Sequence, residues 1–213
     1  SPIASVVLTN GDIDHIAGLL TLRESTPFVI HATPATLDIL RQPVFRVLNP
    51  DLVRQSPIAL NVPFEPIAGL VVTAFAVPGK VALFLEDAEP DTAMIGEQTV
   101  GLHLQAGGRT MFYIPGCAVV PDDLLARLSG ADLLLFDGTV WDNDEMARTG
   151  TGTKTGARMG HMAMAGPEGS MARLDGLTRR LDDLGDERDE LRDALHASRE
   201  RLAALERELA GAA

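Results

Sequence analysis

The chain has 213 residues, 46% hydrophobic and 23% charged, so it can bury a substantial core and disorder throughout is excluded. Its formal net charge of −12 sets it against phosphate-rich partners, which argues against nucleic acid or an anionic membrane surface. A single cysteine, Cys117, allows no intramolecular disulfide, and neither a basic-then-apolar leader nor an apolar run of roughly 20 residues is seen, so the expectation is a soluble cytoplasmic protein with no membrane insertion.

In chain order, the β-branched run from Ile3 to Leu8 reads as a buried strand and the apolar spacing from Ile16 to Leu22 as the first turns of a helix. Asn10, Asp12, Asp14 and His15 fall on the loop between them. Alternation along an extended segment predicts Asn10, Asp12 and Asp14 on one side, with His15 following at the helix mouth. Oxygen and imidazole donors gathered in this way suit a first-row metal ion. The same residues also make an Asx-rich turn in which Asp14 caps the helix.

Phe28 to His31 reads as a short buried strand, and Thr33-Pro34 as a helix start, with Thr as cap and Pro at the first helical position. Residues 43–63 read as an irregular surface connection carrying at most one short strand. Residues 70–77 and 81–85 are the clearest strands, separated by Pro78-Gly79-Lys80. Residues 99–104 and 109–114 flank Ala106-Gly107-Gly108 as a hairpin. Residues 121–128 form a short amphipathic helix, and 131–136 an apolar strand that runs into Asp137-Gly138. Residues 142–170, rich in Gly, Thr and Met, read as a long functional or mobile loop containing His161.

From Leu174 the pattern changes. Leu174, Leu181, Arg188, Leu195, Leu202 and Leu209 recur every seven residues, with Leu177, Leu184, Leu191, Ser198 and Leu205 in the complementary positions. That period predicts a long helix with a coiled-coil seam and self-association as a homo-oligomer. The expected domains are therefore 1–170 and a helix over 171–213.

Strands with intervening helices and several tight turns predict an α/β (α+β) chain of two sheets covered by helices. Asp137 ends a buried strand, where it can face a site or close an Asx-turn with Gly138. His161 sits among methionines, a setting that suits a packed side chain as well as a ligand. His31, His103 and His196 read as structural or surface residues, and Trp141 as a pocket wall or core. The glycine pairs fit neither a phosphate loop nor a dinucleotide fingerprint.

The frame Thr9-x-x-Asp12-x-Asp14-His15-x-x-Gly18-Leu19 resembles the metal loop of the metallo-β-lactamase superfamily, Thr-His-x-His-x-Asp-His-x-x-Gly-Leu, with Asn10 and Asp12 where the leading histidines stand. Together with Leu20 to Glu24, the Phe-Asp-Gly-Thr-x-Trp run ending at Trp141, and Gly160-His161-Met162, it is similar to the PqqB family, the branch of pyrroloquinoline quinone (PQQ) biosynthesis. The resemblance runs from about residue 1 to residue 170. It implies an αββα sandwich, truncated at both ends relative to the family and carrying the heptad helix in place of the closing segment. It implies metal ligation by Asp12, Asp14, His15 and His161, with Asp14 and Asp137 as catalytic residues. The implied cofactor is a divalent metal, iron(II) rather than zinc, and the implied reaction is hydroxylation of a Glu-Tyr derived precursor. The alternatives are a non-catalytic carrier of PQQ or its precursor, and a coiled-coil binding module whose enzyme domain is degenerate through truncation. Cys117 and Lys80 stand where two-metal members of the superfamily place an aspartate and a histidine, so a hydrolytic β-lactamase activity is not expected.

Overall fold

The computed structural model describes residues 3–23, 26–82, 94–176 and 190–199. Residues 1–173 and 174–213 form two compact units. In the first, strands β1 (Ser5–Val7), β2 (Phe28–Ala32) and β3 (Val53–Pro57) make a parallel sheet in the order β1-β2-β3. Strands β4 (Pro63–Ile67), β5 (Leu70–Ala76), β6 (Val100–Ala106), β7 (Arg109–Ile114) and β8 (Leu133–Phe136) make a second sheet in that order. Its pairings are antiparallel except for β7 with β8.

Side-chain alternation builds four layers from these sheets. On β2, Phe28, Ile30 and Ala32 enter one apolar cluster with Ile16, Leu19, Leu40, Phe45 and Leu48. These come from α1 (Ile13–Ile16), the 3₁₀ helix Ala17–Leu22, the residue capping α2 (Pro34–Ile39), and the 3₁₀ helix Pro43–Val47 with its cap. The opposite face of the parallel sheet turns to the second sheet. There Val7 and Ile58 pack with Val72, Ala74, Val100 and Leu102, and His31 stacks on Phe64 of β4 with ring centroids 5.1 Å apart. The outer face of the second sheet carries Phe75, whose ring lies 4.7 Å from the Arg127 guanidinium of α3 (Asp122–Leu128).

Several local expectations need correction. The connection after Pro43 holds a 3₁₀ helix and β3, and β4 begins at its end. Prolines at both ends of this stretch mask its order, because they suit a helix start at Pro43 and an edge strand at Pro63. The segment 142–170 contains α4 (Glu145–Thr149) and α5 (Gly156–Met159), each closed by a left-handed glycine, Gly150 at φ 71° and Gly160 at φ 81°. Two short helices bury too little to show a 3.6-residue period. Trp141 is 53% exposed and belongs to no core. Val81 and Ala82 are not in a strand; the remainder of the strand expected at 81–85 lies outside the described residues.

In the second unit residues 190–199 are helical, with Leu191 and Leu195 exposed. The heptad positions at 177–189 and beyond 199 lie outside the described residues. Among the described residues no helix is long and apolar enough to cross a membrane.

Candidate functional site

The chain leaves the carboxyl end of β1 through a bend at Thr9, Asn10 bridges to Thr99 ahead of β6, and Asp12 is extended. The Asn10 side-chain oxygen accepts the Asp12 amide at 3.0 Å, closing an Asx-turn. Asp12 is the N-cap residue of α1, although its side chain makes no capping hydrogen bond. Alternation therefore ends at Asp12, and the expectation that Asp14 shares its side is corrected. Asp14 is already in α1, where each residue turns the side chain by about 100°.

Asp12 lines a narrow cleft with Asn10, Lys80, Thr99, Gly116 and His161. His161 arrives there through the end of α5. Its amide donates to the Gly156 carbonyl at 3.0 Å while the Gly160 amide donates to Ala157 at 3.0 Å, a Schellman closure that the left-handed Gly160 permits. A side chain at position 160 would also approach the Lys80 stem, whose Cγ lies 3.1 Å from the place of its Cβ. The Met162 amide then donates to the Cys117 carbonyl at 2.8 Å, tying this segment to the loop after β7.

Asp137 follows β8 and its side chain is fully buried. Its two oxygens have separate partners. Oδ1 accepts from the Thr139 amide at 3.1 Å and hydroxyl at 2.7 Å, which is the expected turn. Oδ2 accepts from the Cys117 amide at 3.0 Å and from His161 Nδ1 at 2.7 Å. Burial alone would push the carboxyl up, but the His161 hydrogen bond and charge, with the Thr139 and Cys117 donors, outweigh it and hold it below the ordinary aspartate value. An ionised Asp137 only accepts, so His161 Nδ1 carries a proton and donates it to the carboxylate. A carboxylate on one ring nitrogen is the arrangement that orients an imidazole for metal ligation or proton transfer at the other.

Cys117 is buried, and its Sγ donates to the Val119 carbonyl at 3.0 Å. Burial pushes its thiol up to about 12, the Val119 contact pulling down and the Asp137 charge adding to the rise. It is a neutral packing group here, not a thiolate.

His15 and Asp14 line a different space with Thr9, Val7, Tyr113 and Pro115. His15 Nδ1 is 3.3 Å from the Thr9 hydroxyl, and its Nε2 is 3.7 Å from Asp14 Oδ2, whose side chain is 83% exposed. The four residues expected to ligate a metal are thus shared out, Asp12 and His161 in one cleft, Asp14 and His15 in another. Among the described residues no three His, Cys, Asp or Glu side chains gather as a metal-holding group. Thr139 and Gly160 are the site residues not singled out in advance as parts of it. The Asp-Gly-Thr turn signals the first, and the Met-Gly-His helix ending the last.

A family model described as beta-lactamase superfamily domain matches residues 1–185, and the chain belongs to that superfamily. Within it, the chain is similar to coenzyme PQQ synthesis protein B of Ruegeria pomeroyi, 59% identical over 175 residues that make up 82% of this chain and 59% of that protein. The protein of the same description from Methylorubrum extorquens is 57% identical, over 82% of this chain and 58% of its own length. The crystal structure of Zn(2+)-bound PqqB from Methylobacterium extorquens superposes with a TM-score of 0.79 at 56% identity, covering 82% of this chain and 58% of that one. The chain therefore spans about three fifths of the length of the curated relatives it matches.

Proposed function

We propose that the chain serves PQQ biosynthesis through a divalent metal held in the Asp12–His161 cleft, and that the chemistry is iron-dependent hydroxylation of a Glu-Tyr derived precursor. The carrying observation is the buried Asp137–His161 pair, which orients an imidazole that lines a cleft together with Asp12. The similarity to PQQ synthesis proteins supports the pathway, and the zinc in the Methylobacterium protein supports a divalent ion. One nitrogen and one carboxylate fit two ligand positions of such an ion, and the described residues gather no third His, Cys, Asp or Glu there.

When bound, iron(II) would supply one-electron chemistry with dioxygen, whereas zinc would act only as a Lewis acid. Asp137 holds the imidazole in one tautomer and keeps its proton on Nδ1. Lys80 also lines the cleft, and its Nζ donates to the Val81 carbonyl at 3.3 Å.

Anaerobic iron(II) and zinc titration, followed by oxygen uptake with a tyrosine-containing dipeptide, tests this reading. His161→Ala and Asp12→Ala should each lower metal affinity by at least the roughly 10- to 100-fold that losing a ligand's supporting partner costs. Unchanged affinity in both variants overturns the metal assignment. Tight binding of PQQ with no oxygen uptake in the iron-loaded chain assigns the carrier role instead.

A further inference from the structure

The superfamily match ends at residue 185, while the seven-residue leucine period runs on past it to Leu209. In heptad lettering the series from Leu174 to Leu209 takes position a, with Arg188 as its one polar member. The series from Leu177 to Leu205 takes position d, with Ser198 as its one polar member. Residues 190–199 are helical and all exposed, Leu191 to 71% and Leu195 to 54%. A helix that short is marginal in water and is stabilised mainly by covering its apolar stripe.

The pattern narrows what covers it. Charged residues fill most e and g positions, and none of these carries an apolar side chain larger than that of Ala194, so the stripe is two positions in seven wide. That width fits one partner helix rather than a bundle.

The two polar interruptions then choose the direction. In a parallel, in-register pair each layer joins identical residues, so Arg188 would meet Arg188 of the second copy inside the seam, where like charges are costly. An antiparallel pair joins a to d instead. Centred on Asp193, it sets Arg188 against Ser198 of the second copy, whose hydroxyl accepts from the guanidinium, and every other layer from Leu177 to Leu209 joins leucine to leucine. Across the g positions it matches Glu187 with Arg201 and Arg180 with Glu208. Arg192 and Arg199 gather on the e rim, where water screens them. Parallel pairing also matches rim charges, Glu187 with Arg192 and Arg201 with Glu206, so the rim does not decide. The arginine layer does.

We propose that the chain pairs with a second copy of itself through an antiparallel two-stranded coiled coil over residues 177–209. The pairing uses none of the residues of the Asp12–His161 cleft.

Sedimentation of the full chain at tens of micromolar should find a dimer. Leu195→Ser combined with Leu202→Ser should return it to monomer, with circular dichroism establishing that the sheets remain folded. Mild oxidation tests the direction. Ser198→Cys alone should form no disulfide-linked dimer, because antiparallel pairing holds the two copies of position 198 roughly 15 Å apart along the axis, beyond the ~7 Å Cα limit. An equilibrated mixture of Ser198→Cys and Arg188→Cys chains should link the two variants to each other, and buried Cys117 does not compete. The proposal is overturned by a concentration-independent monomer, by an oligomer larger than two, or by a dimer that survives the double substitution. Self-linked Ser198→Cys, or absence of the mixed link, overturns it equally.

Discussion

Two carboxylate–imidazole pairs lie in this fold, and their surroundings set them apart. Asp137 and His161 meet at 2.7 Å with the carboxylate fully buried and four donors on its oxygens. Asp14 and His15 stand 3.7 Å apart, with the Asp14 side chain 83% exposed. The first pair is held by two loops and the turn after β8, so its geometry exists before any ligand arrives. The second is adjacent in sequence on one short helix, and water competes for its carboxylate. Identical functional groups thus give a fixed proton-holding device in one place and an adaptable polar rim in the other.

The sharpest way to break that contrast is to delete each carboxylate. Asp137→Ala strands the Cys117 amide, the Thr139 hydroxyl and His161 Nδ1 in a buried setting, so urea unfolding should show a loss of about 3–5 kcal/mol. Acid titration should separate the pairs next. Asp137 has a folded-state value below its unfolded one of about 3.9, so its contribution is fully present above that pH and is lost as pH falls through the lower folded value. Stability measured from pH 7 to pH 3 should therefore fall more steeply below about 4 in the wild type than in Asp137→Asn. His31 and His103, both lowered first by burial and then by a nearby arginine, should contribute an earlier decline in both proteins as pH drops below about 6.5. The smallest effect belongs to Asp14→Asn, where unfolding free energy should change by less than about 0.5 kcal/mol. A larger loss there would show that the exposed pair is structural after all.

Much of the layered scaffold was legible because its signals are local. The Thr33 hydroxyl does accept the Thr36 amide at the start of α2, and Gly107 and Gly108, both at positive φ, do turn the chain between β6 and β7. Asp137 could be placed at a strand end from its apolar run. What could not be read is which donors share a cleft. That depends on α1 beginning at Ile13, one residue past the last alternating position, and nothing in Asp-Ile-Asp-His marks where extension yields to helix. The partner of His161 was equally hidden, since it lies 24 residues away and is reached only through the closure at Gly160. His31, expected to be structural, is buried with Nδ1 lacking a hydrogen-bond partner, a detail set by Phe64 of a strand that its prolines concealed.

The sealed sulfhydryl of Cys117 has a practical corollary. It is the chain's only cysteine, fully buried, and at neutral pH it holds almost no thiolate for an alkylating reagent to attack. A maleimide dye offered to a variant with one engineered surface cysteine should therefore label that position alone, without prior removal of the native residue. The molecule is already suited to site-specific spectroscopic tagging in its folded form.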